Sequence, residues 1–423
     1  MRSRLPSLDY GEYTTTWDRV AKAGLRELNI DAWAAGRRYL SLATLVLSSA
    51  EASQLRDVTT RFGGLLDAAV DGILADPDWW SALAWPWPAI ELARQEPTHP
   101  NGRASLFGRF DCLLDHRGTW QVIEFNADTP SGGRESSGYE PAIARLPSND
   151  GLRRLHTTSI GSHLETAIRQ RVAQHARRVR CIGIVSSHTW LEDMAQATWL
   201  ARRLERAGLA ALVGDVTDLA ADGDRILLRG QRIDALYRFY PVERLYRHAV
   251  FASLCEAALD GRLLLLNGLR AFLAQSKACL AWLWSNRSVL DVAACDTIER
   301  HLPRTILARD PAALDLLADG VIKHVNGREG DSVVFGRTLA VGAPEWEGRL
   351  LEGGYVIQRA VEQVTVEDVE VDDLLRRVTR VAPKFACVGA FTIDGAFSGC
   401  YTRLDGPITT ARATYVATLH QTT

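Results

Sequence analysis

Residues 122–134 read VIEFNADTPSGGR. Strand periodicity puts Glu124 and Asn126 on one face, at the end of an apolar run and just before a turn of Asp, Thr, Pro, Ser and Gly. A carboxylate flanked by Val122, Ile123 and Phe125 needs a partner, because an unpaired buried charge is costly. ASLFGRFDCLLD (104–115), DHRG (115–118) and TWQVIEFN (119–126) read as strand, turn and return strand. Arg109 and Asp111 share one face of the first strand, so a hairpin gathers four polar groups on one side of a sheet. Asp111, Glu124 and Asn126 offer hard oxygen ligands of the kind Mg²⁺ takes. A surface hairpin with alternating polar residues remains open as the plainer reading.

A second stretch, VIKHVNGREGDSVVF (321–335), places Lys323 on a strand before a loop that holds Gly327, Arg328 and Gly330. Small residues let backbone N–H groups approach phosphate oxygens. Lys323 adds a point charge and Arg328 a planar fork. The loop could fold over a nucleotide, or it could be an ordinary hairpin turn. Lysine is scarce in this chain. Of 49 basic residues only Lys22, Lys277, Lys323 and Lys384 are lysine. Where Arg serves for most surface charge, a retained lysine suggests a task that Arg cannot do.

The 423 residues carry a net charge of -2, without the basic excess of a nucleic-acid-binding protein. LATLVLSS (42–49) and RLLLLNGL (262–269) are too short to span a membrane. MRSRLPSLDYGEY lacks the apolar segment of a signal peptide. The seven cysteines form no CxxC pair and sit in apolar surroundings, as in RCIGIV and KFACVGAF. They read as buried free thiols of a cytoplasmic protein.

Residues 1–103 read as a mainly helical region, with LRELNIDAWAAGRRYLSLATLV taken as helix. DPDWWSALAWPWPAIEL reads as helix-junction packing, with a pocket wall as the alternative. The metal hairpin and following helices occupy 104–180. From 181 to 269, strand, helix and strand make an α/β lobe without a GxGxxG turn. Residues 270–423 read as a helix followed by α+β, with a lid loop at 324–333 and an acidic helix at VEDVEVDDLLRRV (366–378).

Taken together, these motifs resemble the glutathionylspermidine synthase family, in its C-terminal synthetase domain, a permuted ATP-grasp ligase. RFD (109–111) with EFNADT (124–129) is similar to that family's metal and catalytic hairpin. IDALYRFYPVERL (233–245), QSKACLAWLW (275–284), IKHVNGREGDSV (322–333), YVIQRAVE (355–362) and SGCYTRLDGPITTARATYV (398–416) match further segments in the same order. The chain departs from the pattern at His324, where the family has Pro, and at Leu404, where it has Glu. The family's amidase domain has no counterpart in these residues.

The resemblance implies an ATP-grasp-like α/β and α+β fold with a pre-ATP-grasp lobe. It implies ATP and Mg²⁺, with Asp111, Glu124 and Asn126 on the metal. Lys277, Lys323, Gly327 and Gly330 would serve the phosphates, and Gln358 with the backbone at Val356 and Ile357 the adenine. Arg109, Arg328 and Arg403 would be catalytic. Thr129 and Ser131 would lie near a small carboxylate, such as an amino acid or peptide, which is joined to an amine. Two other readings stay open: a small-molecule phosphotransferase, and a nucleotide-binding module without catalysis.

Overall fold

The computed structural model describes residues 1–34, 36–96, 103–156, 158–328, 330, 333–338, 348 and 353–422. The fold is mixed α/β, built on several sheets. In the largest, neighbouring strands run Arg2–Arg4, Leu40–Leu47, Thr414–Gln421, Ala396–Asp405, Arg377–Ile393, Phe107–Leu114 and Trp120–Asn126. Thr365–Asp372 and Leu152–Arg154 pair to the side of this path. The hairpin expected at 104–126 is therefore present, and it forms one edge of this sheet. Its neighbour Arg377–Ile393 is largely exposed in its first half. It is buried from Ala386 to Ile393, where it meets Phe107–Cys112.

The helix Ser49–Ala75 covers one face of that sheet. Ser48 and Glu51 close its start as a capping box, satisfying backbone N–H groups that have no partner inside the helix. Leu55, Phe62, Leu66 and Val70 are fully buried beneath it, each contributing roughly 1.5–3 kcal/mol. The helix Lys277–Asn286 packs on the same core, so Lys277 is anchored to the body of the protein.

Two smaller sheets flank the cavity described below. One is parallel, in the order Leu264–Leu266, Ala235–Arg238, Ile182–Ser186 and Ala211–Asp215. Its crossover helix Leu191–Arg206 is followed by Gly208 at φ +82°, as the α/β reading of 181–215 expected. The other is antiparallel: Thr305–Leu307, Tyr355–Arg359, Gly320–His324 and Val334–Phe335. No described helix is long and apolar enough to cross a membrane. All seven cysteines are free thiols, and six are buried.

Two local expectations are corrected. The acidic stretch from Val366 is a strand, Thr365–Asp372, which turns into Arg377–Ile393. Its valines sit at near-alternate positions, and a bulge between Val366 and Asp368 resets the phase so that Val369 remains buried. The buried Asp368 accepts from Ser41 Oγ at 2.6 Å and Thr414 Oγ1 at 2.7 Å. The stretch 25–46, expected as helix, instead ends in the strand Leu40–Leu47. That strand is buried on both faces, and such a run has no period that separates it from a buried helix.

Candidate active site

The hairpin register sets Arg109 opposite Asn126 and Asp111 opposite Glu124. Asp111 lies almost wholly out of solvent between two arginines. Its Oδ1 accepts from Arg109 Nε at 2.7 Å, and its Oδ2 accepts from Arg403 at 2.8 Å. Burial alone would raise the Asp111 carboxyl, but the two guanidinium groups outweigh it and hold it below the ordinary range. Two cations against one carboxylate leave a positive charge facing the cavity. Gly389, paired with Asp111, makes room for this cluster, since a Cβ there would stand 2.6 Å from Arg109 Cδ.

The lysines come from other elements. Lys277 opens its helix behind the Ser276 cap, and its Nζ donates to Glu124 Oε1 and to the Gly327 carbonyl, both at 2.9 Å. Lys323 lies on Gly320–His324 and donates to Gln358 Oε1 at 2.6 Å and Ile123 O at 3.3 Å. Thr305 Oγ1 accepts from Gln358 Nε2 at 3.0 Å and so orients that amide. Burial pushes Lys323 down to about 8, against the pull of Glu124. The residues read as a metal hairpin and the two lysines thus meet directly, across some 150 to 200 positions of sequence. Lys22 and Lys384 do not line the cavity.

Arg328 binds a carboxylate that sequence reasoning passed over. Asp128 is fully buried, and it accepts from Arg328, from Arg238 and from Val242 N. Arg328 Nε also donates to Glu243 Oε1 at 2.8 Å, and its NH1 to Thr129 Oγ1 at 3.1 Å. Ser131 is held in turn by Arg109, which donates to its carbonyl at 2.8 Å. Asp128 and Glu243 lie inside the quoted stretches EFNADT and YPVERL, but nothing local marks them as partners of one arginine. Gly330 adopts φ +74°, where a Cβ would come 2.7 Å from Thr409 O. Glu329, Asp331 and Ser332 of the expected lid loop lie outside the described residues.

These groups line one cavity of about 840 Å³, a size suited to a small-molecule ligand. Arg109, Asp111, Glu124, Asn126, Thr129, Ser131, Lys277, Lys323, Gly327, Arg328, Gly330, Gln358 and Arg403 all border it. Val356 and Ile357 do not; both are wholly buried, in different apolar cores, and the wall beside them is formed by residues 358–363. The tryptophans of 79–87 also lie away from the cavity; Trp85 packs on Phe272, with ring centroids 4.8 Å apart. Among the described residues no cluster of three or more His, Cys, Asp or Glu side chains could hold a metal ion. The hairpin set has two carboxylates and one amide. Its oxygens are hard donors, and all three residues line the cavity. The set therefore fits a cation held jointly with ligand oxygens rather than by the protein alone.

The profile of the family described as glutathionylspermidine synthase preATP-grasp matches residues 12–421. The chain belongs to that family. The glutathionylspermidine synthase preATP-grasp family is one of ATP-dependent amide ligases. A glutathione synthetase-like effector from Globodera pallida shares this family member's fold, with a TM-score of 0.64 over 98% of this chain and 99% of that one, at 12% identity. A protein described as a gamma-glutamylcysteine synthetase, from Methylobacillus flagellatus, is less similar: TM-score 0.47, 11% identity, 88% of each chain. D-cycloserine synthetase is weaker again, with a TM-score of 0.34 and 19% identity over 56% of this chain and 71% of that one. No curated protein matches the chain in sequence.

Proposed function

We propose that this protein is an ATP-dependent carboxylate–amine ligase of ATP-grasp type. It forms an amide through an acyl phosphate and releases ADP and phosphate. The observation that carries the reading is the direct contact of Glu124 with Lys277, beside Lys323 and the Arg109–Asp111–Arg403 cluster, in one cavity.

Lys277 and Lys323 hold the phosphates of ATP, and the cavity wall at 358–363 borders its base. Glu124, Asn126 and Asp111 are the residues that would hold Mg²⁺. A bound Mg²⁺ neutralises phosphate charge during transfer. Arg403 and Arg109 face the transferring phosphoryl group and the carboxylate, with their surplus charge already placed before the substrate arrives. Thr129 and Ser131 border the acid. Arg328, held by Asp128 and Glu243 at the cavity wall, helps keep water from the acyl phosphate.

The test is an ADP-release screen of amino acids and small peptides with hydroxylamine present. A ligase yields a hydroxamate, because hydroxylamine captures an acyl phosphate. Carboxylate-dependent ADP release that leaves a stable phosphorylated product and no hydroxamate would show a phosphotransferase instead.

A further inference from the structure

A second cavity, of about 1020 Å³, shares the wall Arg359, Ala360, Val361 and Glu362 with the first. His301 ends the helix Val292–His301 and lines this second cavity with only 8% of its surface exposed. Its Nδ1 stands 2.9 Å from the Trp120 carbonyl. A carbonyl only accepts, so Nδ1 carries the hydrogen and Nε2 the lone pair. Burial, with Arg300 adding to it, lowers the imidazole and favours its neutral form. No described residue pairs with Nε2. Of the carboxylates at this cavity, Asp57 is matched by Arg61 at 2.9 Å and Glu299 by Arg287 at 3.3 Å. Asp115 accepts from Arg117 N, Thr119 N and Gln121 Nε2 of its own hairpin. That leaves Asp296 and Glu362 against Arg117, Arg300, Arg304 and Arg359, whose guanidinium groups pair with no described residue. Unpaired arginines therefore outnumber unpaired carboxylates around one nearly buried lone pair.

We propose that this second cavity is a site for inorganic phosphate, separate from the nucleotide site, and that its occupation weakens ATP binding. Monohydrogen phosphate is an anion that still carries one O–H. Its charged oxygens accept from Arg300 and Arg304, and its O–H donates to His301 Nε2. Sulfate has no proton at neutral pH, so it sets an oxygen lone pair against that of Nε2 and leaves a buried acceptor unsatisfied. A phosphomonoester, whose second pKa is about 6, is disfavoured in the same way. The link to the nucleotide runs through two paired strands. Arg359 N donates to the Arg304 carbonyl at 2.8 Å. The next pair along, Thr305 and Gln358, sets the amide that holds Lys323. An anion that draws Arg304 and Arg359 into the second cavity displaces this pair and takes a cation from the wall of the first. Phosphate is a product of the proposed ligation, so the control of ATP binding rests on the ligase reading, whereas the phosphate site itself does not.

The test is calorimetric titration of the full chain at neutral pH with inorganic phosphate, sulfate and methyl phosphate. Phosphate should bind about tenfold more tightly than either of the others, the cost of one unsatisfied buried acceptor. Arg304 is exposed and lies outside the first cavity. Arg304→Ala should weaken phosphate by about tenfold, as loss of a charged hydrogen bond does, while Lys323→Ala should leave it bound. His301→Phe should erase the preference over sulfate, and the arginine variant decides the matter if the histidine variant does not fold. In turnover, saturating phosphate should raise the KM for ATP by about fivefold. Arg304→Ala should lose that response and keep the kcat measured without phosphate. The proposal is overturned if phosphate does not bind or sulfate matches it. It is equally overturned if Lys323→Ala abolishes the binding and Arg304→Ala keeps it, or if the KM response survives in Arg304→Ala. Selective phosphate binding in a protein without ATP turnover would bring down the ligase reading and uphold the site.

Discussion

The two ends of the Lys–Arg side of the cavity treat charge differently. On the large sheet, Arg109 and Arg403 are both matched to Asp111 by charged contacts. On the four-stranded sheet, Lys323 is matched to a neutral amide, Gln358, and a backbone carbonyl. A buried guanidinium keeps its charge whatever its surroundings, so it needs a counterion in the folded protein. A buried lysine can meet the same cost by a lowered pKa. The first arrangement is rigid and ready for developing negative charge. The second leaves a cation that the proposed reaction would match with phosphate.

Removing the groups that join the two ends has the largest expected effect. Glu124→Ala or Lys323→Ala should abolish carboxylate-dependent ADP release while circular dichroism stays that of the folded protein. If both variants kept turnover, the convergence would have no catalytic meaning. Next comes Asp111→Asn, which leaves two buried arginines without their anion. It should cost about 3–5 kcal/mol in denaturant unfolding. Gln358→Ala, at the other end, removes a neutral partner and should cost only about 1 kcal/mol. Equal losses would erase the contrast.

The pH response sharpens it further. Lys323 is charged below about 8 and neutral above, so ATP affinity measured by calorimetry should fall as pH rises through that value. An affinity that stays flat to pH 10 would mean that its burial does not govern binding. The smallest effect lies away from the cavity, at His156, which faces Glu140 at 3.3 Å as an ion contact. Burial lowers the imidazole, but Glu140 prevails and raises it above its ordinary value. Its stabilising contribution is thus complete below the unfolded-state value of about 6.5 and is lost as pH rises through the higher folded-state value. His156→Gln should remove that slope from stability measured between pH 6 and 8.

The hairpin was legible because alternation and a turn coincide over twenty residues, and because RFD and EFN put their polar groups on one face. The lysines stood out through scarcity. The arginine cluster could be assembled only through the family resemblance, since Arg403 reaches Asp111 across 292 positions. Asp128, Glu243 and Arg238 went unremarked. An acidic residue in a turn or a helical first turn has an ordinary local explanation, and only the fold brings its real neighbours. The stretch at 366–378 was misread for a related reason. Its charges suggested a solvated helix, whereas pairing with Arg377–Ile393 rewarded its valines instead.

Local pattern alone determined the hairpin and its face and the α/β lobe, because backbone periodicity and side-chain chemistry are properties of short segments. Tertiary structure decided which charges are paired and which are left unsatisfied. Burial and distance set those energies, and neither exists until strands far apart in the chain share one sheet.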